Sequence, residues 1–138
     1  MAESKEPGED GETLRYLYAA YQEQYETILE RIENALLEAQ KLSAAMETVE
    51  GYKAVQGKDS FLPVGDGVFL KSKIQDSDKL IVYIGGGYLI EASLETSKEI
   101  LSSRLEEINS YMKKLYAERD RLVGALDDIG GRIASLNG

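Results

Sequence analysis

The chain has 138 residues, a net charge of −9, 43% hydrophobic residues, and neither cysteine nor histidine. One domain is expected at this length; disulfides and thiolate metal sites are excluded, and the usual general base and commonest metal ligand are missing. The acidic surface disfavours nucleic acid, no apolar run approaches the ~18 residues of a membrane span, and the polar start has no secretory signal, so the expectation is a cytoplasmic chain without cofactor.

Residues 1–12 (MAESKEPGEDGE) combine Pro, two Gly and many charges and are expected to form a disordered acidic tail. A single domain then covers 13–138, with helices over about 13–56 and 94–137 and strands over about 60–92. Thr13 is a candidate N-cap for the first helix, with Asp10 as its rival. From there Leu14, Tyr18, Tyr21, Tyr25, Ile28, Ile32, Ala35, Ala39, Leu42, Met46 and Val49 recur in steps of four and three, the mark of a coiled-coil seam. Leu29 and Leu36 widen that stripe, and Gly51 and Gly57 offer stop signals.

Between the helices the period changes to that of strands, at Phe61–Val64, Gly67–Ile74, Lys79–Ile84 and Tyr88–Ala92. Gly65-Asp66-Gly67 and Gly85-Gly86-Gly87 are turn signals, and residues 75–78 link the two β-hairpins. A strand follows the triple glycine, so a phosphate cradle is rejected there. Gly51–Lys58 has the wrong spacing for a P-loop, and Asp76 with Asp78 lacks the rest of a calcium loop. Leu80–Ile84 is apolar on both faces and wants cover on both. Four short strands cannot supply it and leave open edges, so the β region is expected to assemble with other subunits.

The second helix, capped by Ser93 and with Glu95 in its first turn, repeats the seam at Leu101, Leu105, Ile108, Met112, Leu115, Arg119, Leu122, Leu126, Ile129, Ile133 and Leu136. Arg119 alone breaks it, a device that fixes register more often than it performs chemistry. The matched seams, each roughly 54 Å long at 1.5 Å per residue, predict an antiparallel hairpin with Ala35 facing Met112. Gly124, Gly130 and Gly131 weaken this helix by ~1 kcal/mol each relative to Ala. The fold class is therefore α+β, a long coiled-coil hairpin with two β-hairpins inserted between its helices.

Two long helices flanking two hairpins resemble the alpha class of prefoldin; the beta class has one hairpin. Leu62-Pro63-Val64-Gly65-Asp66-Gly67-Val68-Phe69 resembles the family's first hairpin, and Val82-Tyr83-Ile84-Gly85-Gly86-Gly87-Tyr88 its second. The resemblance covers residues 14–136. It implies a hexamer of two alpha and four beta subunits whose hairpins form a β-barrel between subunits. Here the barrel residues would be Leu62, Val64, Val68, Phe69, Leu70, Ile74, Leu80, Ile81, Val82, Ile84, Tyr88 and Ile90. It further implies six tentacles that bind unfolded polypeptides without ATP and pass them to a group II chaperonin. Seam geometry puts the client-binding tips at Leu14, Leu17, Tyr18, Tyr21, Ile129, Ile133 and Leu136. The alternatives are a gamma-type prefoldin homologue that forms filaments, which shares the alpha architecture, and a coiled-coil scaffold. An enzyme is disfavoured because no nucleophile–base set is present.

Overall fold

The computed structural model describes residues 10–137. Two helices, α1 (Gly11–Glu50) and α3 (Leu94–Asn137), enclose in chain order the single turn α2 (Tyr52–Val55) and the strands β1 (Asp59–Gly65), β2 (Val68–Lys73), β3 (Lys79–Gly85) and β4 (Tyr88–Ser93). The acidic-tail expectation for residues 1–9 lies outside the described residues. Gly11 and Glu12 differ from that expectation because they belong to α1. The reason is the cap: the Asp10 carboxylate accepts from the Thr13 backbone N–H at 3.3 Å, and its carbonyl accepts from Leu14 N–H at 2.8 Å. The rival cap, not Thr13, starts the helix. At its other end α1 stops at Glu50 rather than running to 56, and Gly51 separates it from α2.

The chain divides into two compact units. The terminal unit combines residues 10–38 with 108–137. In it Ile28, Ile32, Ala35, Leu115 and Leu122 form one buried cluster, with Tyr21, Tyr25, Met112 and Tyr116 packed against it. The helices run antiparallel: a Cβ added at Gly130 would lie 3.5 Å from the Tyr18 ring, one added at Gly11 would lie 3.5 Å from Leu136, and Arg15 donates to Asn137 Oδ1 at 3.0 Å. These pairs step along the register that places Ala35 opposite Met112. Arg119 is half-buried, and its guanidinium pairs with Asp120 at 3.1 Å and lies 5.0 Å from the Tyr116 ring centre. Both partners are on α3 itself. The cation thus leans out of the seam rather than being sealed within it, which avoids the cost of burying a charge.

The hairpin unit is Ala39–Glu107. Its buried residues include Leu42, Val49, Val82, Ala92, Ser97 and Leu101. β1 pairs with β2 and β3 with β4, both antiparallel, as two separate two-stranded sheets. The hairpins share one design. Each has a register shift at a glycine, between Pro63 and Gly65 and between Tyr83 and Gly85. Each then turns through two residues with positive φ, Asp66 (46°) and Gly67 (77°) in one, Gly86 (61°) and Gly87 (82°) in the other. Positive φ at both central positions is what a tight I′ turn demands, and Asp-Gly and Gly-Gly meet it with little strain. α2 ties down the linker between hairpins: Tyr52 Oη donates to the Gln75 carbonyl at 2.9 Å and Gln56 Nε2 to the Ser77 carbonyl at 2.6 Å. The Gly57–Ile74 and Ile74–Lys58 backbone bonds extend the first hairpin toward α2. Ser93 caps α3, its Oγ accepting from Thr96 N–H at 3.1 Å.

Candidate functional site

The first hairpin is apolar on both faces. Cross-strand partners share a face, so Phe61, Pro63, Phe69 and Lys71 lie on one, and Leu62 and Leu70 with Ser60 and Ser72 on the other. Phe61, Leu62, Val64, Val68, Phe69 and Leu70 are all more than half exposed. Phe61 and Phe69 flank a shallow open cleft with the Lys71 stem beside them. Two strands have no second layer, so neither face is covered within the hairpin.

The second hairpin departs from the expectation that both faces lack cover. Leu80, Val82, Ile90 and Ala92 share one face, and there Val82 is 8% exposed and Ala92 7%. That face is covered within the hairpin unit, where Ile84 and the α3 residues Glu99, Ile100, Ser103, Arg104 and Glu107 line one cleft. The opposite face, with Ile81, Tyr83 and Leu89, stays open: Ile81 and Leu89 are each 64% exposed. Tyr88 and Ile84 are also exposed, while Ile74 and Leu80 are half-buried. Of the twelve residues expected at the assembly surface, Val82 is the one buried inside its own chain. Sequence reasoning missed Phe61, Tyr83 and Leu89; the signal was present, since Phe61 and Leu89 sit in the same strand alternation.

The residues expected at the client-binding tips fall in the terminal unit but are mostly closed. Leu14 is 1% exposed and Ile129 6%; Leu17, Tyr18, Tyr21 and Ile133 are half-buried; Leu136 alone is open, at 45%. Leu14 is buried although it is the first seam residue: Gly11 and Glu12 extend the helix before it, and Leu136 lies 3.5 Å from where a Cβ on Gly11 would stand. Tyr16, outside the seam, is the most exposed tyrosine. A second feature of this unit is an open groove of about 710 Å³ along one flank, lined by the apolar Ile28, Leu115 and Leu122 together with Glu23, Arg31, Lys114 and Glu118. Glu118 accepts from Arg121 one turn on, and this hydrogen bond, more than the charge alone, holds its carboxyl below the usual glutamate range. Among the described residues no helix is long and apolar enough to cross a membrane.

A helical hairpin with paired β-hairpins whose apolar faces lie open is the architecture of an oligomer subunit, and residues 21–137 match the family model described as Prefoldin subunit; the chain belongs to the prefoldin family. Within it the similarity is to the archaeal-type alpha class. The chain is 38% identical to Prefoldin subunit alpha 1 of Thermococcus kodakarensis over 97 residues, 70% of this chain and 66% of that protein. It is 30% identical to Prefoldin subunit alpha of Pyrococcus horikoshii over 127 residues, 91% of this chain and 81% of that protein. Among solved structures, filamentous PFD from Methanocaldococcus jannaschii superimposes with a TM-score of 0.55 at 24% identity, covering 88% of this chain and 96% of that one. At that identity the likeness establishes the fold.

Proposed function

We propose that the chain is the two-hairpin subunit of an ATP-independent holding chaperone, assembled with one-hairpin beta-class subunits as two alpha and four beta. In this reading it acts in the cytoplasm, binds unfolded polypeptides through the free ends of its coiled coil and delivers them to a group II chaperonin. The observation that carries the assembly is the open apolar surface of the hairpins, above all Phe61, Leu62, Phe69, Ile81 and Leu89. Water is a poor neighbour for such surface: each large side chain fully covered by a partner contributes ~1.5–3 kcal/mol, and unpaired strand edges seek further strands. The alpha-class relatives support this subunit type over others. Holding without nucleotide agrees with a hairpin turn, rather than a helix start, after the triple glycine.

The test mixes the chain with a one-hairpin prefoldin subunit and measures native mass, then suppression of aggregation of a denatured client with and without ATP and chelator. The reading requires a hexamer containing two copies and a holding activity indifferent to both additions. A second reading is a gamma-type homologue that forms filaments, since it would share the same two-hairpin architecture and the same open hairpin faces. Electron microscopy of the chain alone distinguishes them: filaments of this chain without partner would replace the hexamer.

A further inference from the structure

The chain holds three asparagines, and their settings differ. Asn34 and Asn109 lie inside α1 and α3, followed by Ala35 and Ser110. Asn137 is exposed, ends α3 and is followed by a glycine. The difference matters because the backbone nitrogen of the next residue can attack an asparagine side-chain amide. Inside a helix that nitrogen is held in the hydrogen-bond ladder, and a Cβ on the following residue crowds the approach. Glycine carries no Cβ, and the last turn of a helix frays. Of the three asparagines, Asn137 is the least guarded by either obstacle.

The fold adds a cation at the reacting group. Arg15, exposed near the start of α1 and in the same terminal unit, donates from Nη2 to Asn137 Oδ1 at 3.0 Å. Its Nη1 lies beside Gly11, where an added Cβ would stand 3.2 Å away, so glycine there leaves room for the guanidinium. Oδ1 is the atom that gains negative charge when the side-chain carbonyl carbon is attacked, and a guanidinium is charged throughout the accessible pH range. A charged donor already set on that oxygen favours the tetrahedral state over the planar amide. We propose that Asn137-Gly138 is a self-modification site and that Arg15 promotes its deamidation. The Gly138 nitrogen bonds to Asn137 Cγ and the Cγ–Nδ2 bond breaks. Nδ2 leaves as ammonia with the proton from the Gly138 nitrogen, giving a succinimide. Water then opens that ring at either carbonyl, leaving aspartate or isoaspartate and one more negative charge. No oxidant, reductant or cofactor enters. In the aspartate product the new carboxylate faces Arg15 as an exposed ion pair, which adds little stability, so the modification marks the chain by charge.

The test incubates the full chain at neutral pH and follows acidic species by ion exchange, with peptide mass spectrometry to place them. Conversion at Asn137 should outrun conversion at Asn34 and Asn109. Asn137→Gln should remove the leading acidic species, because glutamine would have to close a larger ring. Arg15→Gln should slow conversion about tenfold, less than a buried oxyanion donor supplies because this pair faces water, and Arg15→Lys should recover part of the rate. In urea, where the two helix ends separate, wild type and Arg15→Gln should convert at one rate. Circular dichroism checks that the exposed Arg15 substitutions leave the helices formed. Comparable conversion at all three asparagines, or an intact Asn137 after prolonged incubation, would overturn the site. An Arg15→Gln rate unchanged in the folded chain, or slowed equally in urea, would overturn the role given to Arg15.

Discussion

Replacing Ile81 and Leu89 together by lysine should abolish assembly while leaving the subunit folded. Both side chains lie on the open face of the second hairpin, each 64% exposed. A partner can remove at most that remaining surface from water, about two-thirds of the ~1.5–3 kcal/mol for full burial of such a side chain. That is about 1–2 kcal/mol each and about 2–4 kcal/mol together, or roughly 30- to 1,000-fold in affinity at about 1.4 kcal/mol per decade. Two ammonium groups forced into a packed interface would add to the loss. The free subunit should be nearly indifferent, since exposed substitutions usually stay within about 0.5 kcal/mol. The ammonium introduced in place of Ile81 would moreover face Glu91 across the ladder, a favourable pair. Native mass spectrometry at micromolar concentration, with circular dichroism melting of the isolated chain, separates the two effects. An oligomer of unchanged mass would refute the assignment of this face to assembly; a collapsed melt would refute the claim that the face is unused within the chain.

Val82→Lys, on the opposite face of the same strand, should behave differently: its site is buried within the hairpin unit, so the isolated chain should lose stability by several kcal/mol, seen in the same melt. Ser97 is fully buried and its hydroxyl has no hydrogen-bond partner; Ser97→Ala should stabilise the chain by about 1–3 kcal/mol, a higher midpoint in urea with unchanged slope, and a lower midpoint would show that the hydroxyl has a partner in solution. Glu118 is held below the usual range by its Arg121 hydrogen bond, so whatever that bond contributes is present above the ordinary glutamate pKa and lost as pH falls through the lowered one. In Arg121→Gln, NMR titration should find the Glu118 carboxyl moved up toward its ordinary value.

Sequence periodicity revealed the helices, strands and turns because each rests on a short-range physical rule. The four-three steps survive in the structure as buried or half-buried positions from Leu14 to Val49 and from Leu101 to Ile133, since one helix stripe has one way to leave water when a matching stripe follows in the chain. Gly67 and Gly87 marked the turns because few residues tolerate their φ. Three things were not legible. Asp10 prevailed over Thr13 as the cap, a competition decided by a single carboxylate geometry. The cover over Val82 depends on what packs beside the strand, and alternation says which residues share a face but not what lies over it. The closure of Leu14 depends on how the far end of α3 lies beside the start of α1, where Leu136 approaches Gly11, and seam spacing alone places such neighbours only to within a residue or so.

The same chain handles two kinds of apolar surface in opposite ways, and the difference follows from geometry. A helix concentrates its apolar residues on one stripe, so a second helix suffices to cover them, and Ile28, Ile32, Leu115 and Leu122 are buried accordingly. A two-stranded sheet has two faces and no second layer; where both are apolar, as around Phe61, Leu62, Phe69 and Leu70, neither can be covered from within. Surface that is permanently open is suited to a permanent neighbour, because leaving it in water is costly at every moment. Surface that is closed but weakly held is suited to a transient one, because it is presented for only a fraction of the time and returns to its own seam on release. On this argument the open faces of the hairpins are suited to the lasting contacts of a subunit.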